Sequence, residues 1–122
     1  MTGTQNIFTF AATGLTPPTN PKQPITENGF VRMLIIETPN FSNAVTTTIR
    51  IRDKRGYLLW SVDSIAANLI GDSAHRIDDA STPSLPHIPL EMGYTMEAII
   101  NGVAGTGGGA VNVMMYVSRN KP

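Results

Sequence analysis

The 122-residue chain is long enough for one domain and short for two of ordinary size. Its nine basic and nine acidic side chains cancel, so broad electrostatic binding to nucleic acid is not expected. It has no cysteine, which excludes a disulfide framework, a thiolate metal site and a cysteine nucleophile.

The low charge favours contact with other proteins. Charged residues make up 15% of the chain, against about 25% in an average soluble domain. A chain with few charges and no net charge has little to keep its copies apart. No run of about 18 apolar residues is present, and the first residues lack the cationic start and apolar stretch of a signal peptide. We therefore expect no membrane span and synthesis in a cytoplasm.

The N-terminal region predicts a strand followed by a tether. Ile7–Ala12 is the strand candidate, and residues 13–24 contain four prolines. Proline lacks an N–H and fixes φ, so this stretch is expected to be extended and outside any central sheet. We interpret residues 1–24 as an arm that reaches a neighbouring subunit, with residues 25–122 forming the domain. The alternative is an edge strand that folds back on its own domain.

Alternation of side chains predicts two hairpins in that domain. Phe30–Glu37 is apolar on both faces, which is typical of a strand covered on both sides, by its own fold or by a partner. Val45–Arg52 alternates strictly and Tyr57–Val62 returns after a turn that ends in glycine, which predicts the first hairpin. Tyr94–Asn101 and Ala110–Ser118, joined by a glycine-rich loop, predict the second.

The segment between the hairpins is expected to be irregular. Asp63–Leu69 has the spacing of a single helical turn. Gly71–Pro89 contains three prolines and predicts an extended surface loop. Six or seven short strands without a substantial helix indicate an all-β fold, namely one β-sandwich or jelly-roll-like domain with an extended N-terminal arm.

Few residues are candidates for catalysis. His75 is followed by Asp78 and Asp79, which raises the hypothesis of a carboxylate-oriented base or a divalent metal site. The spacing matches no ligand motif, so a solvated polar loop is the favoured interpretation. Glu91 and Glu97 are the best carboxylate pair for glycoside hydrolysis, but Glu97 is expected to point to solvent. We predict no catalytic residue, no metal and no cofactor.

Trp60 separates two classes of function. In a carbohydrate-binding module an exposed tryptophan would be the surface on which a sugar stacks. Here Trp60 alternates in register with Leu58 and Val62, which favours a place in the core.

An apolar patch outside the core is predicted from the last strand. Met114 and Met115 are adjacent, so their side chains point to opposite faces and one of them points away from the core. Together with the apolar residues of the arm this defines the candidate protein-interface residues, which are Ile7, Phe8, Phe10, Met33, Met114 and Tyr116. The alternative is that a second sheet or the arm itself covers this face.

The order of the predicted strands is similar to that of a known family. It consists of the strand Thr48–Ile51, the returning strand Tyr57–Ser61 and the last strand Val111–Val117. The chain resembles small β-sandwich virion proteins of tailed bacteriophages, of the decoration or cement type. The resemblance implies a structural protein on the capsid surface of the virion, an oligomer, often a trimer, that binds the major capsid protein and stabilises the head. It offers no catalytic residues. The long loop at Gly71–Pro89 departs from the pattern. A tail or head–tail component and a carbohydrate-binding module are the alternatives.

Overall fold

The computed structural model describes residues 3–12, 22–41, 43, 45–102 and 109–120. Within these ranges it contains nine strands and one short 3-10 helix at Gly71–Ser73. The strands are β1 (Gly3–Ala12), β2 (Lys22–Pro24), β3 (Gly29–Glu37), β4 (Thr46–Arg52), β5 (Leu58–Ile65), β6 (His75–Ile77), β7 (Pro89–Leu90), β8 (Thr95–Asn101) and β9 (Gly109–Ser118).

Two antiparallel sheets pack face to face as a β-sandwich. Sheet A has the order β1-β9-β3-β6, with β7 paired to one end of β3, and sheet B has the order β2-β8-β4-β5. Alternate residues of β8 and β9 point between the sheets and are buried, namely Met96, Ala98 and Ile100 of β8 and Val111, Val113 and Met115 of β9. The prediction of an all-β sandwich is confirmed. No helix in the described ranges is long and apolar enough to cross a membrane.

The first predicted hairpin is confirmed as β4 and β5. Its turn is held by Asp53, whose Oδ1 accepts hydrogen bonds from the backbone N–H groups of Arg55 and Tyr57, each at 2.9 Å. Gly56 adopts φ +88°, which a residue with a Cβ rarely does. The short polar side chain and the glycine together close the turn, so the strands meet in the predicted pairing.

The second predicted hairpin is wrong. β8 and β9 follow each other in the chain but lie in different sheets, where β8 pairs with β4 and β9 pairs with β1 and β3. The strand positions were predicted within a residue or two, but strand alternation contains no information about the partner of each strand.

The predicted helical turn at Asp63–Leu69 is also wrong. β5 continues to Ile65, and Ser64 and Asn68 have φ of +62° and +63°, which interrupt any right-handed helix. Leu69 forms a β-bridge with Thr38, whose hydroxyl donates to the carbonyl of Ala66 at 2.7 Å. Tertiary pairing therefore determines the local conformation here.

The stretch Gly71–Pro89 is only in part the surface loop that the sequence predicted: most of its side chains are exposed, but it is also tied into the fold. It contains β6, which pairs with β3, and it buries the side chains of Ile77, Leu85 and Ile88 in the core. Its apolar residues close the side of the sandwich between β3 and β5, where the carbonyl of Ser84 accepts a hydrogen bond from Trp60 at 3.0 Å.

The predicted N-terminal strand is longer than expected and forms an edge of sheet A. β1 pairs with β9 in unbroken register from Gly3 to Ala12. Lys22–Pro24 pairs at the edge of sheet B, a position at which proline is tolerated. The rest of the predicted tether, residues 13–21, lies outside the described residues.

Glu27 holds the first half of β1 in place through side-chain hydrogen bonds. Its carboxylate accepts hydrogen bonds from Asn6 Nδ2, at 2.6 Å, and from the Thr4 hydroxyl. These two bonds, that of Asn6 first, hold the pKa of Glu27 below its ordinary value of 4.5. The charged carboxylate is thus favoured by the fold.

Acid is therefore expected to loosen this end of β1. A group with a lowered pKa stabilises the fold above its ordinary pKa, and this contribution is lost as the pH falls through the lowered value. Amide exchange should show protection at Thr4 and Asn6 decreasing below about pH 4.5, earlier than protection at the centre of β9. Glu27→Gln should show weak protection that no longer depends on pH in this range. Equal pH dependence in both proteins would contradict the assignment.

Candidate protein-interaction site

A row of apolar side chains crosses the outer face of sheet A. Ile7 of β1 lies opposite Met114 of β9, and Met114 lies opposite Ile35 of β3. Their strand neighbours Phe8, Met115 and Leu34 or Ile36 are buried, so by alternation these three side chains point away from the core. Ile7 is 63% exposed, and Met114 and Ile35 are half-buried. The row is therefore an apolar strip on the surface of the sandwich.

A second row lies beside the first. Tyr116 of β9 is paired with Met33 of β3, and its hydroxyl accepts a hydrogen bond from Gln5 Nε2 at 3.0 Å. The two rows together form what we call the outer apolar face, made of Ile7, Met33, Ile35, Met114 and Tyr116. Four of these were predicted from the sequence, and the fold brings them together on one surface.

Ile35 was missed as an interface residue, although its signal was present. The strand Phe30–Glu37 is apolar on both faces, and Met33 was already assigned outward. Ile35, two residues further, must share that face because side chains in a strand alternate. The register is interrupted between Val31 and Met33, where Arg32 is an extra, exposed residue. After this interruption Met33 and Ile35 are the residues of β3 that point outward.

Phe8 and Phe10 lie elsewhere than predicted. Their exposed fractions are 6% and 1%, and both side chains belong to the core between the sheets. The two phenylalanines are covered by their own chain in this fold and are not available to a neighbouring surface. The interpretation of β1 as an edge strand folded onto its own domain, which the sequence left open, matches this placement.

Charged side chains border the outer apolar face on the β6 side. A pocket of about 270 Å³ next to Met33 and Tyr116 is lined by Arg32, Arg76, Asp78, Asp79 and His87. Arg76 Nε lies 3.7 Å from Asp78 Oδ2, and His87 Nε2 lies 3.6 Å from Asp79 Oδ2. This border therefore contains both signs of charge.

The outer face of sheet B is different, because its centre is ionic. The Glu97 side chain is only 3% exposed, and its carboxylate lies 3.1 Å from Arg52 Nε and 3.9 Å from Lys22 Nζ. The prediction that Glu97 points to solvent is wrong. It does project outward from β8, but the long cationic side chains of neighbouring strands cover it.

The residues that the sequence offered as candidates for catalysis do not lie together in one site. Glu91 lies in a cleft of about 910 Å³, where it is ion-paired with Lys54 at 3.1 Å, whereas Glu97 sits on the face of sheet B. His75 begins β6, opposite Ile36 of β3. Within the described part of the chain no three His, Asp or Glu side chains are grouped so as to hold a metal ion.

Trp60 is in the core, as its alternation predicted. It is 8% exposed and its indole N–H donates to the carbonyl of Ser84. A buried ring cannot stack on a sugar. The exposed tryptophan that would have favoured a carbohydrate-binding module is therefore not found at Trp60.

Comparison with known proteins adds no relative to this description, since no family model, no curated protein and no solved structure matches the chain.

Proposed function

We propose that this chain is a structural protein without catalytic activity, which attaches to the surface of another folded protein through the outer apolar face of sheet A. The observation that carries the proposal is the apolar row Ile7–Met114–Ile35 at the middle of that face. An apolar strip bordered by polar groups is typical of a protein contact site. In line with the resemblance to decoration proteins, the partner is the major capsid protein of a tailed phage and the attached chain is part of the virion.

The shape of the face favours a protein surface over a small ligand. Three strands in antiparallel register present the five side chains on a sheet surface, whereas small molecules bind in concave pockets. The side chains include two methionines and one tyrosine, residues that adapt to a partner and are enriched at interfaces.

The border fixes what the partner must present. The charged pocket beside Met33 offers guanidinium groups of Arg32 and Arg76 together with the carboxylates of Asp78 and Asp79. A partner of one charge sign would meet repulsion from half of this border, so the complementary surface is apolar at its centre with both signs of charge on the side that meets β6. The near absence of net charge fits many copies side by side on a shell, where weak contacts act together.

Replacing Met114 with glutamate tests the proposal. The carboxylate would be placed at the centre of the contact, where burying it without a partner should weaken attachment by about 2 kcal/mol or more, roughly 30-fold. Binding is measured by co-sedimentation with capsids assembled from the major capsid protein that the same genome encodes.

Ile99→Glu is the matched control. Ile99 is half-buried on the outer face of sheet B, opposite Thr48, so this substitution adds the same charge to the other sheet. It should bind as the unchanged chain does, after thermal unfolding has shown that both variants are folded. If Met114→Glu binds like the control, or if the unchanged chain does not bind the capsids, the proposal is overturned.

A further inference from the structure

The four edge strands of the sandwich are protected to different degrees. An exposed edge offers unpaired backbone groups to another strand, and folds usually protect it by shortness, proline, charge or bulges. β2 and β6 are three residues long, and β2 contains Pro24. β5 has an irregular register on both sides of Trp60–Val62. These three edges each carry at least one protective device.

β1 carries none of them. It pairs with β9 over ten residues without a break in register, and among the described residues no strand pairs with its other side. Its sequence, GTQNIFTFAA, has no proline and no charged side chain. At its middle lies Ile7, a large apolar residue that is 63% exposed. A long, regular, uncharged edge of this kind is a template for strand addition.

The hydrogen bond from Gln23 shows which backbone groups face outward. The Gln23 side-chain amide donates to the carbonyl of Thr9, so this carbonyl points away from β9. In an antiparallel pair, residues alternate between bonding to the partner strand and pointing away from it. Gln5 and Ile7, at even spacing from Thr9, therefore also direct their N–H and C=O groups to the free edge.

We propose that two copies of this chain pair through β1, antiparallel about a two-fold axis at Ile7, and join their five-stranded sheets into one. Ile7 would exchange both backbone hydrogen bonds with Ile7 of the second copy. Gln5 would pair with Thr9 in the same way, and its N–H would replace the Gln23 amide as the donor to the Thr9 carbonyl. Because β1 carries no charged side chain, the pairing brings no like charges together across the two-fold axis. The zero net charge of the chain likewise removes repulsion between copies.

This pairing does not depend on the proposed attachment to a shell, but it would enlarge the surface available for that attachment. The two outer apolar faces would become one continuous surface, with Ile7 of each copy at the seam. The particle formed is a two-fold dimer and not the trimer that the family resemblance implies, so the mass of the particle distinguishes the two.

A single cysteine tests the geometry, because the chain has none of its own. Opposed residues in a hydrogen-bonded antiparallel pair have Cα atoms about 5.5 Å apart, within the range of a disulfide. Under mild oxidation Ile7→Cys is expected to form a covalent dimer, at least about tenfold faster than Met92→Cys, whose parent side chain is 58% exposed. Equal rates for the two variants would overturn the proposal.

Substitution of Ile7 by proline distinguishes dimers held by backbone strand pairing from dimers held by apolar side-chain contact. Ile7→Pro removes an outward N–H that β9 does not use, whereas Ile7→Thr keeps the backbone and removes most of the apolar side chain. Sedimentation velocity at increasing concentration should show dimers for the unchanged chain and Ile7→Thr, and monomers for Ile7→Pro. Met114→Glu should still dimerise, so that failure of the attachment surface and failure of the edge are told apart.

Each other outcome counts against the pairing. A trimer, a monomer at millimolar concentration, or equal loss of dimer in Ile7→Thr and Ile7→Pro would overturn it. If Ile7→Pro is unfolded by circular dichroism, the cysteine rates decide.

Discussion

Replacing Phe10 with alanine is expected to lower the free energy of unfolding by about 3–5 kcal/mol, a large share of the stability of a domain of this size. Phe10 is 1% exposed, opposite Val111 in the β1–β9 ladder, and its ring fills space between the sheets. Removing the ring loses its transfer from water and leaves a cavity. Urea denaturation with a fluorescence or circular dichroism signal measures the change.

Ile7→Ala is the control within the same strand. Ile7 has the same backbone pairing but is 63% exposed, so its loss should change the stability of the monomer by about 0.5 kcal/mol. If Phe10→Ala proved as mild as Ile7→Ala, β1 would be a detachable arm, as the sequence alone suggested. The structure leads to the opposite expectation, that deletion of residues 1–12 unfolds the domain.

Gly29→Ala is expected to cost about 3 kcal/mol. Gly29 has φ +152°, and a Cβ at this position would lie 2.6 Å from Val117 Cγ1 and 2.7 Å from the carbonyl oxygen of Ser118. The second contact is with the backbone of β9, which cannot move away without disturbing the ladder between β3 and β9. Thermal and urea unfolding should both show the loss.

Gly56→Ala separates backbone strain from crowding. Gly56 also has a positive φ, +88°, but no atom lies within 4 Å of an added Cβ. Its replacement should therefore cost only the conformational strain, about 1 kcal/mol. Equal effects at the two glycines would mean that β3 and β9 do not approach as closely at Gly29 as the structure shows.

The sequence predicted those parts of the fold that depend on near neighbours. The alternation of Val45–Arg52 and the turn at Asp53–Gly56 are local, and both the strands and their pairing were predicted. The partners of β8 and β9 depend on contacts distant in the chain, and no local pattern distinguishes a hairpin from a crossing between sheets. β6 was missed for a related reason, since three residues are too few for alternation to be recognised.

The candidate site could be predicted in part for the same reason. Strand alternation assigned Met33, Met114 and Tyr116 to an outer face, and the structure brings them together. It could not show that Phe8 and Phe10 are buried, because an edge strand and a detached arm have the same sequence pattern. Nor could it show that Glu97 is covered, because this depends on arginine and lysine side chains from other strands.

The position of β9 between β1 and β3 has a consequence for biosynthesis. Sheet B needs no residue beyond Asn101, whereas sheet A cannot close until Gly109–Ser118 has left the ribosome and inserted between two strands made much earlier. Such distant pairing is slow relative to hairpin formation. Until then β1 has no partner strand in sheet A and β3 has one unpaired side, so we expect this nascent intermediate to be the stage most exposed to misassembly.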